Sequence, residues 1–398
     1  MTTGFCKPFL LPAGMIVVAI ATHADAAELK FKKHHIDPTF ISEGVAVGDV
    51  NRDGMPDILA GPYWYQAPSF NRHEIRKPGT YKAAGGYSKS FMNAAVDVNH
   101  DGWIDHVVVG FPGEPALWYE NPKGKAGHWT ERPFADSACN ETPIFTDLTG
   151  DNVKEMLFAV TTPGEPKALG KMAWFAPPTA TGATWSTHII SKDKSPGTHK
   201  FSHGLGVGDI NGDGRKDVII TDGWWEAPDD RTRTDWTFHA EKLGPACANM
   251  HPYDVDGDGD ADIVSSSAHN FGIWWHEQTK SENGRRQWRQ HLISDRFSQT
   301  HALEMADMNG DGVMDFVTGK RYFAHNGHDP GGTEPAVLYW IELTRIDGWP
   351  RWTLHKIDDD SGIGTQLLVH DLNGDGRLDI IVSNKKGTFF HEQLAGGE

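Results

Sequence analysis

Three histidines, His203, His251 and His301, stand just ahead of three successive acidic turns and are the residues best suited to chemistry in this sequence. Neutral imidazole is a ligand for Zn²⁺ or a similar divalent transition metal, and three such rings leave a coordination position open for a substrate. His269 lies on a neighbouring loop, and a ring that titrates near neutrality suits removal of a proton, so His269 and His301 are candidate bases. Lys320 and Arg321 follow as groups that could stabilise the anion so formed. The surrounding loops carry Lys89, Asn93, Asn249, Asn270, His325, His328 and Lys385, a polar set able to hold a substrate's hydroxyl or carboxylate groups.

A second chemistry is carried by oxygen. Asp209, Asn211, Asp213 and Asp217 present acid or amide groups at the first, third, fifth and ninth positions of a glycine-containing turn, a pattern suited to calcium. Asp254, Asp256, Asp258 and Asp262 repeat it, as do Asp307, Asn309, Asp311 and Asp315, and Asp371, Asn373, Asp375 and Asp379. The same carboxylates can instead accept hydrogen bonds from the turn's own backbone, without any ion.

Those turns belong to a repeat. Copies begin at Asp49, Asp97, Asp147, Asp209, Asp254, Asp307 and Asp371, each after a short small-residue or apolar stretch and before a β-branched run. The turn therefore joins two strands. An aromatic third strand follows each copy, as at Trp118-Tyr-Glu, Trp224-Trp-Glu and Trp274-Trp-His-Glu, and a fourth repeats aromatic, histidine and aliphatic positions, as at Trp288/His291/Ile293. The last copy lacks a fourth strand, whereas Phe31, His34 and Ile36 supply that pattern ahead of the first. The expected fold is thus all-β, a seven-bladed β-propeller of four antiparallel strands per blade, with the N-terminal strand closing the last blade. Histidines recurring in the fourth strands are read as packing groups, whereas those outside the repeat are read as functional.

Strand alternation places all the acidic turns on one face. Loops approaching first strands and leaving second strands share the other, among them Tyr87 to Asn93, Cys139-Asn140-Glu141 and Lys320 to Asp329. The chain has 398 residues and a net charge of −17 without a basic patch, which excludes a nucleic-acid partner. Lys7, an apolar run and Ala24-Asp25-Ala26 predict a signal peptide over 1–26, with the propeller over 27–398, export to the periplasm or the extracellular space, and no membrane span in the mature chain. Cys139 and Cys247 allow either one disulfide or two thiols.

The acidic repeats resemble the FG-GAP or VCBS repeat family of propellers. Together with the export signal and the histidine-rich mouth, they also resemble the propeller domain of aldos-2-ulose dehydratase and propeller-type rhamnose–glucuronate lyases. The third copy departs from the pattern at Thr149, Asn152 and Glu155. The resemblance implies β-elimination on a keto-sugar or uronic-acid glycan, with His203, His251, His269 and His301 where the cleft would lie. The rival expectation is a noncatalytic propeller that binds carbohydrate or protein through the same mouth.

Overall fold

The computed structural model describes Met1 and residues 29–161, 168–180, 182–245 and 247–396. The expected signal peptide therefore lies outside the described residues. Seven four-stranded antiparallel sheets form the blades. Their innermost strands are Ala46–Gly48, Met92–Val96, Ile144–Thr146, Gly206–Gly208, His251–Tyr253, Leu303–Ala306 and Leu367–His370, in blades one to seven. No helix among the described residues is long and apolar enough to cross a membrane.

Closure occurs as the repeat requires. Phe31–Asp37 pairs antiparallel with Gly387–Gln393, Phe31 opposite Gln393 and His34 opposite Phe390, so the first strand completes the last sheet. The fourth-strand histidines lie flat on third-strand aromatics, with ring centroids 3.9 Å apart for Trp174 and His188 and 4.1 Å for Trp340 and His355. Several also meet a third-strand glutamate: His239 Nε2 is 2.7 Å from Glu226, and His291 Nε2 is 2.7 Å from Glu277. The aromatic/His stack is thus a packing device on the outer half of six blades, joined by a glutamate in blades four to seven. Blade two uses arginine instead, Arg132 lying over Trp118 and bonding Glu120.

The ninth residue of each acidic turn locks the inner half. Asp217 is fully buried, and its two carboxylate oxygens accept from Ile210 N–H at 3.0 Å and Ala227 N–H at 2.8 Å, tying the turn to the end of the third strand. Asp262, Asp315 and Asp379 do the same with Val255 and Gln278, Met308 and Leu343, and Leu372 and Gln393. This corrects the sequence grouping. These four carboxylates each accept two backbone amides that would otherwise be buried unpaired, and Asp262 stands outside the group in which Asp254, Asp256 and Asp258 converge.

Cys139 and Cys247 are separate buried thiols. Along the propeller axis runs a cavity of about 690 Å³ lined by Asn93, Asn249, His251 and Glu304 among others.

Candidate metal centre at the propeller mouth

Each blade reaches the mouth through the residues just before its innermost strand, and four chemically distinctive side chains occupy one equivalent position there. Glu43, Glu141, His203 and His301 each stand six residues before the first aspartate of their blade's turn, at 49, 147, 209 and 307. Arg321 and Lys385 share a second position, fourteen residues after Asp307 and Asp371. Because the blades repeat, equal offsets put these side chains at one depth around the axis.

The imidazoles converge through Nε2. His203 Nε2 is 3.3 Å from His301 Nε2 and 3.0 Å from His269 Nε2, and the three ligand atoms all lie within 4.8 Å of one another. Glu141 Oε2 joins them, 3.0 Å from His301 Nε2 and 3.7 Å from His203 Nε2. Ligands about 2.0–2.1 Å from a zinc-like ion lie about 3.3 Å apart in a tetrahedral shell and about 2.9 Å apart in an octahedral one, so this spacing fits a shared ion. Protonation fits as well. Burial pushes His203 down to about 3 and His301 down to about 4, keeping both rings neutral. For Glu141, burial acts upward, but the hydrogen bond from His301 and the charge of Arg321 favour the ionised form and hold the carboxyl below its usual range. Neutral imidazoles and an ionised carboxylate are the forms that bind metal.

Support for the rings is uneven. His269 Nδ1 faces Asp329 Oδ2 at 3.4 Å, and the same oxygen accepts from His325 Nδ1 at 2.8 Å and Gln299 Nε2 at 3.1 Å. A carboxylate at Nδ1 favours the tautomer that frees Nε2 for a metal. His301 Nδ1 is buried with no hydrogen-bond partner among the described residues, and on this count the fit is less complete. His325 stacks on His269 with centroids 4.6 Å apart, and its Nε2 has no hydrogen-bond partner among the described residues. It sits on a turn in which Phe323, His325 and Asn326 all have left-handed φ of 51°, 44° and 55°. That conformation is costly for non-glycine residues and persists where the surroundings enforce it. Here Tyr87 Oη accepts from His325 N–H, and Lys385 Nζ donates to Phe323 O.

Behind the cluster, Arg321 is buried against Glu43 at 2.6 Å, with Glu141 Oε2 3.7 Å from its other terminal nitrogen and the rings of Tyr87 and Phe91 over its guanidinium. Burial pushes Lys385 down to about 8, with Glu43 raising it and Arg321 lowering it further.

Other expected site residues fall elsewhere. His251 is apart from the cluster: its Nε2 donates to Leu303 O at 2.7 Å inside the axial cavity, and His269 takes the place expected for it. Lys320 is buried with its ammonium against the Arg321 and Gly332 carbonyls, where it shapes the loop instead of facing the histidines. Asn93 accepts from Ser90 and His106 within the fold, Asn249 accepts from Leu303 N–H, and Asn270 closes its own turn. Lys89 pairs with Glu114 at 3.1 Å, and His328 donates to His325 O at the exposed rim. Glu43 and Gln299 were not singled out by sequence, and Glu141, Tyr87 and Asp329 stood in mouth loops without a role. The offset shared with His203 and His301 is the signal that finds Glu43 and Glu141.

On the opposite face, the first aspartates accept turn amides, as when Asp209 receives Gly212, Asp213 and Gly214 N–H. Arg215 bonds Asp213, and Arg377 bonds Asp375, so a guanidinium already meets the carboxylate in those two turns. In the turn at 307, Asn309 bonds both Asp311 and Glu342. Carboxylate oxygens converge within 4.8 Å at Asp254, Asp256 and Asp258, and also at Asp147, Asp151 and Glu155 in the divergent third copy.

The fold and its ring of acidic turns define a seven-bladed β-propeller. Within that class the chain carries an FG-GAP-like repeat: residues 254–318, spanning the turns at Asp254 and Asp307, match that family. No curated protein matches the chain. Among solved structures it is similar to an Agrocybe aegerita lectin that recognises non-reducing terminal N-acetylglucosamine, at 14% identity and TM-score 0.47 over 93% of this chain and 87% of that one. It is similar also to Bacillus licheniformis rhamnogalacturonan lyase PL11, at 13% identity and TM-score 0.42 over 91% and 75%, and to rhamnogalacturonan lyase YesW, at 13% and 0.43 over 92% and 75%. These likenesses concern the fold.

Proposed function

We propose that the chain is an exported carbohydrate-active propeller, a metal-assisted carbon–oxygen lyase that acts by β-elimination on a keto-sugar or uronic-acid glycan. The observation that carries this reading is the convergence of three imidazole Nε2 atoms and one carboxylate oxygen at a mouth that stays open on the His269 and His325 side. His203, His269, His301 and Glu141 would hold zinc or another divalent transition metal. When bound, such an ion supplies a Lewis acid for the carbonyl or carboxylate beside the proton to be removed.

The chain's own residues divide the remaining work. His269 and His301 turn Nε2 into the cluster, so the base is better assigned to His325, whose Nδ1 is held by Asp329 and whose Nε2 is left to accept a proton. In the elimination, the C–H electron pair becomes the new C=C bond as the β carbon–oxygen bond breaks, and the proton ends on the departing oxygen. Arg321 and Lys385 place positive charge behind the cluster, where anionic character would develop. A panel of keto-sugars and uronic-acid glycans should yield an unsaturated product detectable by ultraviolet absorbance. Chelation should abolish it and zinc or manganese should restore it; elimination unaffected by chelation, or absent across the panel, contradicts the reading and leaves the noncatalytic binding propeller.

Calcium, if bound, belongs to the turn at Asp254. There Asp256 is pushed up by burial and by Asp258 and Asp254, and among the described residues no arginine meets the carboxylates. Calcium in hundredfold excess over its dissociation constant should stabilise the parent by about 2.7 kcal/mol. Asp256→Asn should lose that response, whereas a parent that melts identically with calcium and with chelator assigns these carboxylates to the turn alone.

A further inference from the structure

We propose that the rim beside His203 binds a uronic-acid residue of an acidic glycan, its pyranose face on Phe201 and its carboxylate on Lys200. This rests on the carbohydrate reading of the mouth and narrows it to acidic sugars. Phe201 is 41% exposed although it is a large aromatic, and it holds a left-handed φ of 66°. Its turn is pinned to the loop that carries Glu141: Phe201 N–H donates to Cys139 O at 3.0 Å, and Glu141 N–H donates to Ser202 O at 3.0 Å. A phenyl ring held in an unfavourable backbone conformation with part of its surface open to solvent is placed for contact with a ligand as well as with its neighbours.

Lys200 Nζ lies 4.8 Å from the centre of the Phe201 ring and 5.0 Å from that of Phe111, and has no carboxylate partner among the described residues. Lys89 and Lys386, by contrast, are already satisfied by Glu114 and Asp360. The aromatic wall continues inward from Phe201 through Phe111 to Tyr87 and Phe91, with centroid separations of 5.4, 5.8 and 5.7 Å, and ends beneath Arg321 and Lys385. Of the cations along this wall, Arg321 and Lys385 are buried behind it, and Lys200 is the one left at the surface of a chain whose net charge is −17. A sugar's axial C–H groups are weakly positive and complement the negative ring face, and a uronate adds a carboxylate for the ammonium. A neutral keto-sugar would use only the stacking. Phe201 is two residues from His203, a span of at most about 7 Å, so a sugar seated there would lie beside the histidine cluster.

Calorimetric titration of the full chain with trigalacturonate and with its fully methyl-esterified form, which keeps the rings and removes the charge, tests this. The parent should bind the acid about five- to tenfold more tightly than the ester. Lys200→Met should bring the acid to the ester's affinity, and Phe201→Ala should weaken both about tenfold, with metal content and melting unchanged. Failure of the parent to bind the acid, equal affinity for the two forms, or an acid preference surviving in Lys200→Met overturns the proposal. Charge-selective binding without elimination on any substrate would leave this site standing and remove the lyase reading; elimination without charge selectivity would do the reverse.

Discussion

Replacing His301 by alanine should leave the protein with less than about a tenth of an equivalent of transition metal and reduce elimination at least about a hundredfold. His301 Nε2 touches both His203 and Glu141, so its loss removes one ligand and releases two others from their geometry. The residue is fully buried, so this variant also leaves a cavity and should melt earlier than the parent. His269→Ala separates the two effects. Its side chain is 30% exposed and adds less to packing, so metal should be lost with melting nearly unchanged. Elemental analysis of both purified variants reads the first effect and calorimetry the second; full metal content in His269→Ala would remove it from the ligand set.

Replacing Arg321 by methionine should cost about 3–5 kcal/mol of stability, the range for breaking a buried ion pair by removing one partner. Glu43 and Arg321 are each 1% exposed in their side chains and lie 2.6 Å apart, and Arg321 also faces Glu141, so the variant strands carboxylates in the interior. Burial opposes the charge on Arg321, but Glu43 and Glu141 outweigh it and keep the guanidinium protonated. Adding Glu43→Gln should recover part of the loss in denaturant unfolding, because the stranded charge is then removed. A single variant as stable as the parent would show that the pair is not a structural anchor of the mouth.

The repeat made the fold legible because each blade needs the same few contacts. The ninth-position aspartate must satisfy two buried amides, and the fourth-strand histidine must cover an aromatic, so both recur at blade spacing. The displaced strand at Phe31 could be placed for the same reason, since its His34 bonds Glu392 as His239 bonds Glu226. The mouth was legible in residue type and only partly in geometry. His203, His269 and His301 meet, but His251 lies three residues before Asp254, half the offset of its partners, and falls within the channel instead. Lys320 and Arg321 are adjacent in sequence yet face different surroundings, because neighbouring residues leaving a strand point to opposite sides. The roles of Asp329 and Gln299 were beyond reach, since Asp329 meets His269 and Gln299 only past the strained turn at Phe323 to Asn326, which no periodicity announces.

The central claim is that His203, His269, His301 and Glu141 together hold a divalent transition metal. X-ray absorption on protein purified without chelator and reconstituted with zinc tests it most directly. The expected result is one zinc per chain, with three imidazole nitrogens and at least one carboxylate oxygen about 2.0–2.1 Å from the ion. Failure to retain zinc after reconstitution, or a shell without imidazole scattering, would contradict it.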